Sequence, residues 1–169
     1  MEKTLNEITC PGCGLLMPES KSLTYDGYYN VSPECWSVYT EVLEAEFSNM
    51  VLFGQVHQLT VDSYAVQNAG GIHKAKSVMV NLARLHLVYE KGIKPSQVSK
   101  LHQRMAHKMA VYPEFTPPEN TGPITVFDIA TASDQFEHEK RVKAWSEQLW
   151  NAWSHVHKDI EELVNKYIF

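Results

Sequence analysis

The sequence predicts a mainly α-helical protein, a four- or five-helix bundle with a small cysteine knuckle and hairpin ahead of it. Three observations carry this. Apolar residues recur at intervals of three and four along several long stretches. Glycines and prolines punctuate those stretches rather than interrupting them. All three cysteines fall within the first 35 of the 169 residues, ahead of the first helical pattern or at its start. A chain of this length suits a single domain, 1–169, made of a knuckle and hairpin module over 10–35 and a bundle over 33–169.

Residues 1–9 read as a loosely held arm. Cys10-Pro11-Gly12-Cys13-Gly14 follows, a tight turn that places two sulfurs on one side at the bite a tetrahedral zinc ion needs. Leu23 to Val31 is aromatic and β-branched sequence around Asp26-Gly27, the short-range signal of a β-hairpin. Cys35 then sits in the first turn of a helix announced by Ser32 as N-cap, Pro33 at the first helical position and Glu34 beside the positive helix end. Knuckle, hairpin and helix-borne cysteine make a treble-clef-like zinc module with Cys10, Cys13 and Cys35 as ligands. Such modules take two ligands from the helix, and only one is found. His73 is the preferred fourth ligand, because the Gly70-Gly71 loop should return the chain to the zinc end. Glu19, His107, His138 and water are the alternatives. Two other readings compete with zinc: three buried apolar cysteines, or a redox dithiol of Cys10 and Cys13.

The first helix is expected from Pro33 to Phe53, with Trp36, Tyr39, Leu43, Phe47, Met50 and Val51 as its apolar face and Gly54 as its stop. Residues 56–68 are read as a second helix although their period is ambiguous. A third spans His73 to Lys91, and Pro95 opens a shorter one to His107. Pro113 to Pro123 is a loop carrying four prolines. Thr125 to Asp128 has capping-box spacing for a short helix. The last helix should run from Ser133 almost to Phe169, through Val142, Trp145, Leu149, Trp153, Val156 and Ile160.

Hydrophobic residues make up 44%, charged residues 21%, and the formal net charge is −5. That balance excludes an extended disordered chain, and the lack of a basic stripe argues against a nucleic-acid partner. No apolar run reaches the length of a membrane span. Free cysteines and an N-terminus without an export pattern predict a cytoplasmic location.

The second helix holds the polar cluster His57, Asp62, Tyr64 and Gln67, a candidate pocket within an otherwise apolar setting. His57 and Asp62 are the candidates for catalytic groups, with His86 or His138 as further members. The bland reading makes His57 a cap and Asp62 a hydrogen-bonded core residue. Trp150, Trp153, His155 and His157 read as packing.

The strings Cys-Pro-Gly-Cys-Gly, Ser-Pro-Glu-Cys-Trp and His-Gln-Leu-Thr-Val-Asp-Ser-Tyr-Ala-Val-Gln resemble, in the same order, those of a bacterial family of unknown function, over nearly the whole chain. The resemblance implies that residues 57–67 are shared machinery and brings no reaction with it. The resemblance also implies that relatives often carry His where this chain has Asn68, which leaves any role for that position open. The first functional expectation is a zinc-binding helical protein whose zinc is structural and whose partner is an unidentified protein or small molecule. The alternatives are a metal-dependent hydrolase or transferase using the His57/Asp62 pocket, and a thiol switch. Whether the chain is an enzyme stays open.

Overall fold

A computed structural model describes residues 6–169. Among them are two short strands and eight α-helices, so the mainly helical expectation holds. Among the described residues no helix is long and apolar enough to cross a membrane.

Strands β1 (Glu7–Thr9) and β2 (Leu16–Pro18) pair antiparallel, with Ile8 opposite Met17. They flank the Cys-x-x-Cys turn, closed by Cys10 N–H on Leu15 O and Gly14 N–H on Cys10 O. Part of the expected arm is thus a strand, preceded by Asn6, and residues 1–5 lie outside the described residues. The hairpin expected over 23–31 does not form. That segment is a chain of turns, with Asp26 Oδ1 accepting from Tyr28 N–H at 3.0 Å and Gly27 at φ 79°. Tyr25 and Tyr29 pack inward on Trp36 and Tyr64, so side-chain burial, not strand pairing, orders it.

Helix α1 (Pro33–Phe47) starts as the sequence predicts, with Ser32 Oγ accepting from Cys35 N–H. It ends six residues earlier than expected, because Asn49 re-caps the chain by accepting from Val51 and Leu52 N–H. This starts a separate α2 (Met50–Gln55) that contains Gly54. A side-chain oxygen at an N-cap satisfies amides that a continuous helix would have bonded itself. The buried face of α1 is Cys35, Val38, Tyr39, Val42 and Glu46, one residue out of step with the predicted stripe; Phe47 and Met50 are exposed.

Helix α3 (His57–Gln67) is the centre of the molecule. Eight of its eleven residues are buried, and it packs against α1, α4, α5 and α7. Burial on every side explains the ambiguous period, since a helix without a wet face has no polar stripe to reveal it. After it, Gly70 and Gly71 take φ 128° and 61°. A Cβ on Gly71 would lie 2.3 Å from Gly27 O, so only glycine lets this loop lie against residues 27–30, where Asn30 N–H donates to Asn68 O. Helices α4 (Ala75–Tyr89) and α5 (Pro95–Lys108) follow.

The proline loop is fastened by Gln148, which accepts from Ile124 N–H and donates to Thr121 O. The capping box of Thr125 and Asp128 starts α6 (Val126–Ala130) as expected. The long last helix is instead two, α7 (Gln135–Ala152) and α8 (His157–Tyr167), joined by a 3₁₀ turn at Ser154–Val156. His157 stacks on Trp150 at 3.7 Å, and its Nε2 bonds Trp150 O at 2.8 Å. That ring occupies a carbonyl which a continuing helix would need.

Candidate functional site

The knuckle turn and the first turn of α1 bring Cys10, Cys13 and Cys35 together, with all three sulfurs within 4.8 Å of one another. The cysteines are free. Cys10 and Cys35 are buried, and Cys13 is partly open. The Sγ atoms of Cys13 and Cys35 are 3.8 Å apart. Side-chain hydrogen bonds from Cys13 and Cys35 hold the Cys10 thiol far below its ordinary value. The same contacts push Cys13 and Cys35 up. Three sulfurs gathered this closely form a group that could bind a metal ion.

Tyr64 Oη lies 3.5 Å from Cys35 Sγ, and its ring stacks on Tyr39 at 3.7 Å with planes 4° apart. Burial pushes its hydroxyl well above the ordinary value, so it is a neutral hydrogen-bonding group behind the sulfur. Gly12 touches the other side. A Cβ there would lie 2.4 Å from both Asn30 O and Asn68 Oδ1, so the knuckle docks flat on the end of α3.

The Gly70-Gly71 loop does return to this end of the molecule. His73, however, is not part of the sulfur cluster, and neither are Glu19, His107 and His138. The His73 ring packs on Tyr28 and Tyr29, and Tyr29 in turn packs edge-on against Tyr64. Both its nitrogens are buried without a partner, and burial lowers its pKa to about 4.

The four residues read as a pocket fan out from α3 to different neighbours. His57 Nδ1 is 2.8 Å from Glu46 Oε2. Asp62 Oδ1 accepts from Arg84 Nε at 2.7 Å and Gln58 Nε2 at 3.0 Å. Tyr64 reaches Cys35. Gln67 Oε1 accepts from Trp145 Nε1 while its Nε2 donates to Ile124 O. Burial raises Asp62 to about 6 despite the opposing Arg84. Of the further histidines proposed, His138 joins His57, because its Nε2 is 2.9 Å from the other oxygen of Glu46. His86 does not; it is buried against Trp150.

Glu46 and Arg84 escaped the sequence reading. The signal for Glu46 was its place four after Val42 and seven after Tyr39 on the buried row of α1. Nothing local marks Arg84, whose partner is 22 residues away.

Residues 8–154 match the model of a family described as a family of unknown function (DUF5946). No curated protein and no solved structure matches the chain.

Proposed function

The chain belongs to that family of unknown function, and we propose that it is a zinc protein whose ion has a structural role, clamping the N-terminal knuckle to α1 and α3. The observation that carries this reading is the sulfur spacing. Four ligands at a Zn–S distance of about 2.3 Å stand about 3.8 Å apart on a tetrahedron, and Cys13 and Cys35 are 3.8 Å apart. A fourth ligand, from the protein or a water, would come from outside the trio. Zinc would be held by three thiolates, one of them at a helix N-terminus that favours negative charge.

The clamp has a physical purpose. Strands of three residues cannot hold themselves on a helical core, and metal binding supplies folding free energy directly. What the ion secures is the end of the molecule where Tyr29, Trp36, Tyr39 and Tyr64 pack together. The molecular role would then be ligand or partner binding by the helical part, in a reducing, cytoplasmic setting.

Metal analysis of purified protein, counted per chain with and without Cys35→Ser, tests this. The expected result is one zinc that disappears with Cys35 together with a lower melting temperature. A variant with full zinc and an unchanged melting temperature refutes the clamp. Wild type without metal, and with Cys10 and Cys13 cycling through a disulfide, would establish the thiol switch instead.

A further inference from the structure

A cleft of about 300 Å³ opens where the second half of α1, the start of α2, α6 and the first turn of α7 meet. Val42, Leu52 and Ile129 form apolar wall, and Glu41, Asp134 and His138 stand around it.

His138 distinguishes this cleft from an ordinary surface hollow. The residue is only 7% exposed, yet it lines the cleft. Its Nε2 is engaged inward with Glu46 Oε1. Glu46 is completely buried and also meets Thr60 Oγ1 and His57 Nδ1. Burial pushes its carboxyl up, but the bonds from His138, His57 and Thr60 outweigh that and hold it below its ordinary value. A carboxylate only accepts, so Nε2 carries the hydrogen, and in that tautomer Nδ1 is an acceptor. Nδ1 has no hydrogen bond among the described residues and is not sealed from solvent. The buried carboxylate thus fixes the tautomer and orientation of an imidazole that lines the cleft with one ring nitrogen unengaged.

The surrounding charge selects the ligand. No Lys or Arg lines the cleft, whereas Glu41 and Asp134 do. The positive end of α7 is already served by Asp134, whose Oδ1 accepts from Glu137 N–H at 2.8 Å. An anion would meet two carboxylates and a ring lone pair. A cation bearing N–H groups meets a complement in each of them. We propose that this cleft binds a small organic ammonium ion, which donates to His138 Nδ1, is balanced by Glu41 and Asp134, and rests its carbon chain on Val42, Leu52 and Ile129. The cysteine cluster takes no part, so this inference stands or falls apart from the zinc reading.

The test is calorimetric titration of the whole protein with n-butylamine near neutral pH, where the amine is protonated, against 1-butanol and butyrate as probes of matching shape. Saturable binding of the ammonium ion alone is expected. Glu41→Gln, an exposed change, should weaken it about threefold, as expected of a solvent-exposed charge pair. His138→Phe should weaken it at least about tenfold through loss of the buried acceptor. Should His138→Phe fail to fold, Ala45→Leu at the exposed rim fills the cleft and should abolish binding. No saturable binding of butylammonium, equal binding of the three probes, or full affinity in Glu41→Gln and Ala45→Leu overturns the proposal.

Discussion

Glu46 is the residue whose replacement should reveal most about how this molecule is held together. Its two oxygens receive His57 from the start of α3, Thr60 one turn later, and His138 from α7. One carboxylate therefore joins three helices at a point with no exposure. Glu46→Gln keeps the shape and removes the charge. One donor then faces an amide N–H instead of an oxygen, which costs about 1–3 kcal/mol, and the other bonds lose about 1 kcal/mol each of ionic assistance. A total of about 3–5 kcal/mol, with an unfolding entropy of about 2.1 cal/mol/K per residue, lowers the melting temperature by roughly 8–14 °C. The pH dependence follows from the lowered carboxyl pKa. A depressed carboxyl stabilises fully above its ordinary value of 4.5 and loses that contribution as pH falls through the folded value. Thermal melts of both proteins from neutral to acid pH should therefore show a gap that is full near pH 7 and closes below about pH 4.5. Equal melting temperatures at neutral pH, or a gap that persists undiminished into acid, would refute the argument.

His73→Phe should remove a loss of stability that sets in as pH falls from 6.5 towards about 4, because the buried neutral ring rejects a proton that the unfolded chain accepts. The same variant should keep its metal, and loss of the metal would make His73 the fourth ligand. Asp62→Asn should remove a slope of opposite sign. A carboxyl raised from 3.8 to about 6 makes folding less favourable as pH rises across that window, which melts at fixed pH steps would detect. Gly12→Ala should detach the knuckle and lower metal content, since its Cβ has no room beside Asn30 O. Gly54→Ala, in α2 with nothing within 4 Å of the added carbon, should stabilise by about 0.5–1 kcal/mol in a denaturant titration.

The parts of this structure legible in the sequence are those whose causes are local. Ser32, Pro33 and Glu34 announce a helix start by chemistry confined to one turn, and Cys10 and Cys13 lie within one loop. The cap at Asn49 was equally local, but the apolar residues on both sides of it suggested one continuous helix. The site behind Cys35 was harder. Trp36, Leu43 and Phe47 are the larger residues, so they drew the predicted stripe to their side of α1, while the buried row holds Val38, Val42 and Glu46. A carboxylate on a buried row becomes tenable only through partners 11 and 92 residues away, and no window on the sequence contains both.

The polar residues of α3 were expected to converge because they are neighbours in the chain. On a helix buried all round, successive side chains point about 100° apart, so nearness along the chain places them on different walls. His57 and Thr60, one turn apart, share Glu46. Asp62 turns to Arg84 in α4, Tyr64 to Cys35 in α1 and Gln67 to Trp145 in α7. A helix arranged in this way registers its neighbours against one another, and each of these five side chains is engaged with a partner, although Asp62 Oδ2 is buried without one. One link further out, Glu46 passes the orientation set by α3 to His138, whose Nδ1 has no hydrogen bond among the described residues. In the ligand cleft proposed above, residues of α3 would then act as support behind the lining rather than as part of it.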